Sequence, residues 1–266
     1  MSNRLCKPLY LVFAALVVTA GCQRHQQKEV EVPALEPEIE TISVTSDYAK
    51  RAMAATGGWE AWKKAKEIQL DCVVTFYCPD GSFYLTEQRY DVHPLSNSIM
   101  ISGVEPQGSV VWQLSKGQLA VLEGPGQAES LPAAVGRRCM AEAVLNIITA
   151  PARFLDESVE FVKQAAPVKM HGQWYDAIDR RNKPAVETSR LLAEAVFHQN
   201  RDDARVDMIR LVCAAKDKSL TVRGYDYEPL EKGGLCVPTR IEIFRTAAGD
   251  SQERLVKIDC YGFRTS

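Results

Sequence analysis

Residues 67–92 read EIQLDCVVTFYCPDGSFYLTEQRYDV. Leu70, Cys72, Val74 and Phe76 alternate with Gln69, Asp71, Val73 and Thr75, the period-two pattern of a strand with one buried face. Cys78-Pro79-Asp80-Gly81 is a turn signal, and Ser82–Val92 returns as the hairpin partner. Upstream the pattern is helical. Ser46 is an N-cap with Asp47 in the first turn of a helix predicted over Asp47–Thr56, which Gly57-Gly58 ends. Trp59-Glu60-Ala61-Trp62 starts a second short helix, and at Glu67 the period changes from 3.6 to 2.

Downstream, short strands follow at hairpin spacing: Ser98–Ser102, Ser109–Leu114, and Gln118–Leu122 after a Lys116-Gly117 turn. Gly124-Pro125-Gly126 breaks this meander. Arg137–Thr149 carries Met140, Val144, Ile147 and Ile148 on one face, an amphipathic helix stopped by Pro151. Strands resume at Val159–Lys163 and Lys169–Ile178, and residues 184–199 read as a second helical insertion. The last third is a clean series. Arg205–Cys213, Ser219–Tyr227, Val237–Arg245 and Glu253–Phe263 are separated by turns at Lys216-Asp217-Lys218, Gly233-Gly234 and Ala247–Asp250. The expectation is one α+β domain over residues 46–266, mostly antiparallel β, with roughly nine to eleven strands and helices on one face.

The N-terminus addresses the chain. Arg4 and Lys7 precede an apolar run from Leu9 to Ala20, the plan of a secretory signal and too short to span a bilayer comfortably. Gly21-Cys22 after Val18-Thr19-Ala20 resembles the lipobox of bacterial lipoproteins, although Thr19 stands where Leu is usual. By that resemblance the peptide of residues 1–21 is cut away, Cys22 carries the lipid, and Gln23 directs the protein to an outer membrane facing the periplasm. Multiple acyl chains, at about 0.8 kcal/mol per buried CH₂, anchor stably. Cleavage removes Arg4 and Lys7 and takes the formal charge from −2 to −4. Residues 22–45, rich in Gln and Glu with Pro33 and Pro37, read as a lipidated cysteine and flexible tether, with a reach of about 25–30 Å.

The helix-containing stretch AKRAMAATGGWEAWKKAKEIQL (49–70) leads straight into an amphipathic hairpin, and the chain closes on LCVPTRIEIFR (235–245) and ERLVKIDCYGF (253–263). This layout resembles the Lol-type outer-membrane lipoprotein carrier and receptor superfamily, over about residues 46–266. The resemblance implies an unclosed antiparallel β-barrel whose concave face is covered by helices. It also implies an apolar cavity for the acyl chains of a lipid or lipoprotein. The lipid anchor matches receptor-type members; the soluble carriers lack one.

Alternation alone selects an inward set: Leu70, Val74, Phe76, Ile209, Leu211, Ile241, Ile243, Val256 and Ile258. Asp71, Arg210, Arg240, Glu242, Lys257 and Asp259 fall outward. Apolar inward residues serve a plain core as well as a ligand, so these nine are the candidate cavity lining.

Catalytic and metal signatures are thin. GxSxG, HExxH, CxxC and phosphate-loop motifs do not occur. The four histidines (His25, His93, His171 and His198) are scattered and read as surface residues, and Asp202-Asp203 between Arg201 and Arg205 reads as a solvated loop. No metal, cofactor or catalysis is expected. With 32 Lys+Arg against 34 Asp+Glu, a nucleic-acid partner is not expected either. The competing function is an envelope assembly module that meets protein partners through its sheet edge; a third is an enzyme on an unrecognised scaffold. Six cysteines remain beyond Cys6 and Cys22: Cys72, Cys78, Cys139, Cys213, Cys236 and Cys260. In an exported chain they form disulfides or stay as buried thiols. Placing Ile241 opposite Val256 puts Cys260 inward across from Val237 and Cys236 outward across from Tyr261, which disfavours direct pairing of those two.

Overall fold

The computed structural model describes residues 40–42, 46–105, 108–124, 136–183, 194–212, 219–230, 234–246 and 252–266. The expected signal peptide, Cys22, most of the expected tether and Cys213 lie outside the described residues. All described residues belong to one compact unit, Pro37–Ser266.

The chain begins with β1 (Glu40–Ile42), α1 (Asp47–Ala54) and α2 (Trp59–Lys64). A meander follows: β2 (Ile68–Tyr77), β3 (Phe83–His93), β4 (Ser98–Glu105), β5 (Gly108–Ser115) and β6 (Gln118–Glu123). Helices α3 (Arg137–Ile148) and α4 (Ala150–Arg153) precede β7 (Val159–Lys163), β8 (Val168–Met170), β9 (Gln173–Asn182) and β10 (Glu194–Asn200). The last four strands are β11 (Val206–Val212), β12 (Ser219–Pro229), β13 (Cys236–Thr246) and β14 (Gln252–Thr265). All pairings are antiparallel, in the order β1-β7-β9-β10-β11-β12-β13-β14-β2-β3-β4-β5-β6, with β8 added beside β9. β1 and β6 end the order without pairing each other, so the sheet is unclosed.

Several elements follow directly from local chemistry. Ser46 accepts a hydrogen bond from the Ala49 amide at 3.3 Å and caps α1. The Asp80 carboxylate takes both the amide and the hydroxyl of Ser82, which shapes the β2–β3 turn. Gly57 has φ +111, and a Cβ there would lie 2.2 Å from the Gly234 carbonyl oxygen, so only glycine fits between α1 and the loop before β13.

The structure corrects the sequence reading in five places. Residues 194–199, expected to be helical, form most of β10, which is paired on both sides by β9 and β11; residues 184–193 lie outside the described residues. Pro151 does not close the helical region but sits in the first turn of α4, where its missing N–H costs nothing. There are fourteen strands among the described residues rather than nine to eleven, because β8 and β9 split at His171-Gly172, β10 replaces part of the expected helical insertion, and the edge strand β1 lies in the expected tether. In the last hairpin Ile241 faces Ile258 rather than Val256, a slip of two residues that keeps Arg240–Ile243 on their expected faces, and an irregularity between Ile243 and Phe244 shifts the register beyond them. His198, expected at the surface, is 8% exposed.

Candidate functional site

The helix-covered inner face of the sheet is the candidate site. Leu70, Val74, Phe76, Ile209, Leu211, Ile241, Ile243, Val256 and Ile258 are all fully buried and belong to one continuous apolar cluster. Burying each such side chain is worth about 1.5–3 kcal/mol. The nine come from β2, β11, β13 and β14, and the sheet order places these in one run that β12 completes. Register explains the convergence: Val74 faces Ile258, Phe76 faces Val256, and Ile243 faces Val256 from the other side.

Helix α3 lies on this face. It packs against β11, β12 and β13 on one arm of the sheet and against β4, β5 and β6 on the other. Ten of its twelve residues are buried, including Arg137, Glu142 and Asn146. A helix buried on nearly all sides must satisfy its polar groups internally, and the following side-chain bonds contribute to this in α3. Arg137 Nη2 donates to Glu105 Oε2 at 3.0 Å, with both side chains buried. Asn146 Nδ2 donates to the Glu142 carbonyl at 2.7 Å, while its side-chain oxygen accepts from Arg180 Nη1 at 2.7 Å. The Arg180 guanidinium also lies 5.8 Å from the Phe197 ring centroid. In α4, buried Arg153 donates to the Pro94 carbonyl, and burial pulls its pKa down to about 10.

At the β3–β5 end the apolar face gives way to polar groups. Tyr84 Oη, Thr86 Oγ1, Gln88 Nε2, Glu105 Oε1 and Trp112 Nε1 are buried atoms without a hydrogen-bond partner. Desolvation, and then the nearby Glu105 carboxylate, push the Tyr84 hydroxyl well above its ordinary pKa, so it stays protonated. The patch therefore offers hydroxyl, amide and indole donors beside one carboxylate oxygen. Alternation identified the apolar part of this face but passed over the polar patch, although Thr86 and Gln88 share the inward parity of Tyr90.

Two depressions open elsewhere. One of about 510 Å³ is lined mainly by apolar surface from Gly57, α2, Ala65, Leu235 and the Thr265-Ser266 end. The other, about 440 Å³ and polar, lies over Asp71, Arg89, Ser102 and Tyr261. Neither includes any of the nine predicted lining residues.

Of the six fold cysteines, Cys139 is disulfide-bonded, and Cys72, Cys78, Cys236 and Cys260 are free thiols. Cys260 faces Cys72 across the β14–β2 ladder, whereas the sequence reading considered only its β13 neighbour. No cluster of three or more His, Cys, Asp or Glu side chains suited to a metal ion occurs among the described residues.

No protein-family model matches the chain, and no curated protein matches it. Solved structures do. A LolA superfamily protein from Nitrosomonas europaea superposes with a TM-score of 0.51 at 10% identity, covering 82% of this chain and 91% of that one. The fold is that of the LolA superfamily. A DUF1329 family protein from Desulfovibrio piger is similar over 84% of this chain and 94% of its own, at 10% identity and a TM-score of 0.48. A domain from Vibrio parahaemolyticus named for outer-membrane lipoprotein sorting covers 82% and 90% at 8% identity, with a TM-score of 0.44. At such identities the likeness to LolA proteins is one of fold. Among the described residues no helix is long and apolar enough to cross a membrane.

Proposed function

We propose that this protein is a lipid-anchored component of the bacterial envelope. On this reading it takes the acyl chain of a lipid or lipoprotein on the inner face of its LolA-type sheet and performs no catalysis. One observation carries the reading: the nine inward residues make an unbroken apolar surface whose cover, α3, is a single helix packed on both arms of an unclosed sheet. An acyl chain gains access when α3 lifts from β11–β13, exchanging one apolar cover for another at little net cost in exposed area. The polar patch around Glu105 and Trp112 then lies beside the acyl chain's head group, with donors for ester or amide carbonyls. The lipobox-like Gly21-Cys22 and the preceding apolar run support the anchor and the envelope location.

The test is native mass spectrometry of the full chain carrying Cys22→Ser, exported to a periplasm and purified without detergent. Co-purified lipid, or uptake of a fluorescent fatty-acyl probe, is the expected result. A chain that carries no lipid and takes up no probe overturns the reading. It would favour an assembly module instead, whose surface would be the β6 edge with its exposed Leu122.

A further inference from the structure

β14 is paired to its sequence neighbour β13 on one side and to β2 on the other. The β14–β2 ladder is the seam where the run β7–β14 meets the run β2–β6. At its middle, Cys72 and Cys260 are direct cross-strand partners, with Sγ atoms 3.3 Å apart and 188 positions between them in sequence. Cys72 is fully buried and Cys260 partly buried; both are free thiols. Directly opposed residues in antiparallel strands hold their Cα atoms about 4.5–5.5 Å apart, within the roughly 4.4–6.8 Å span that a disulfide bridges without backbone movement.

We propose that Cys72 and Cys260 form a cross-strand disulfide when the chain folds in an oxidising compartment. The bond staples the two arms of the sheet at the seam. The step is thiol–disulfide exchange with a disulfide-bearing oxidant, such as an envelope dithiol oxidase or oxidised glutathione. The more accessible Cys260 gives up its proton, and its sulfur attacks the oxidant's disulfide, releasing one thiolate and leaving a mixed disulfide. Cys72 then loses its proton and attacks the Cys260 sulfur, expelling the second thiolate. The two cysteines lose two electrons and two protons, and the oxidant leaves as two thiols. Burial, with Cys260, Asp71 and Asp259 adding to it, holds the Cys72 thiol far above its ordinary pKa. The second step is therefore slow in the finished fold and belongs to folding, before the ladder closes over the pair. Because α3 packs on both arms, the staple fixes the distance between the two surfaces that α3 spans. This inference does not depend on what the inner face binds.

The experiment is to refold the full chain from its reduced, denatured state in a glutathione redox buffer. The product is alkylated under denaturing conditions, digested without reduction, and its peptides are mapped by mass spectrometry. A linked peptide pair containing Cys72 and Cys260, abolished by dithiothreitol, is expected. In addition, the oxidised wild type should unfold at a higher denaturant concentration than Cys260→Ala, and the gap should vanish when both are reduced. Recovery of Cys72 and Cys260 as alkylated thiols under conditions that form the Cys139 disulfide overturns the proposal, as does linkage of either to another cysteine. The wild-type map decides the matter even where a variant fails to fold.

Discussion

Arg137, in the first turn of α3, donates from Nη2 to Glu105 Oε2 of β4 at 3.0 Å, and the two side chains are 4% and 2% exposed. The guanidinium also lies 5.9 Å from the Trp112 ring centroid. One buried ion pair thus holds the start of the covering helix to the meander arm. Such pairs contribute little beyond a well-packed apolar substitute, but breaking one strands a charge. Glu105→Ala should lower stability by about 3–5 kcal/mol. Glu105→Leu with Arg137→Met should recover most of that loss. Denaturant unfolding of the single and double variants checks both statements.

The join between α1 and α2 rests on a buried hydroxyl. Trp62 Nε1 donates to Thr56 Oγ1 at 3.0 Å, and the same hydroxyl donates to the Ala52 carbonyl at 2.9 Å. Thr56→Val keeps the shape but leaves the indole N–H without an acceptor, for a loss of about 1–3 kcal/mol. Denaturant unfolding should show that loss, with a change in tryptophan fluorescence reporting the altered indole environment.

Gly57 and Gly58 both have positive φ, +111 and +90, but only Gly57 is crowded: a Cβ at Gly58 meets nothing within 4 Å. Gly58→Ala should therefore lose only the backbone strain of its φ 90, ψ 163 conformation, about 1–3 kcal/mol. Gly57→Ala adds a collision with the Gly234 carbonyl and should lose about 2–4 kcal/mol. Thermal unfolding of the two variants side by side separates strain from clash; equal losses would refute the distinction.

His198 is buried between β9 and β11, and its pKa is lowered to about 4, chiefly by desolvation and then by Arg210. A histidine whose folded pKa is depressed binds its proton more readily when unfolded. Its contribution is therefore intact above about pH 6.5 and is lost as pH falls toward 4, by about 2–3 kcal/mol. Asp207 works against this. Desolvation raises its pKa to about 6, so its contribution is intact below about pH 4 and is lost as pH rises through 6. His198→Gln should flatten the acid limb of the stability profile, and Asp207→Asn should steepen it. Unfolding midpoints measured from pH 4 to 7.5 give the comparison.

Legibility in the sequence followed the range of the interaction. The β2–β3 hairpin could be read because alternation and the Cys78–Gly81 turn are local signals, and β2 and β3 pair from Ile68 with Val92 to Tyr77 with Phe83. The inward set could be read for the same reason: parity assigns a face without knowing the neighbour. β10 was misread because its first residues, Glu194 and Ala195, continue a Leu- and Ala-rich stretch that favours helix locally. Pairing with β9 and β11 overrides that preference. β1 left no signature because an edge strand of three residues is held through its backbone, which any side chain permits.

The sequence by itself determined the strand-rich class, the inward face, the short helices before β2 and the amphipathic α3, because each depends on spacings shorter than a hairpin. Only the tertiary structure decided that β14 closes against β2, which brings Cys260 to Cys72 from opposite ends of the domain. It also decided that α3 sits on both arms and draws Arg137 onto Glu105. These are contacts between distant segments, selected by the burial of a whole face, and no local pattern encodes which distant strand will lie alongside.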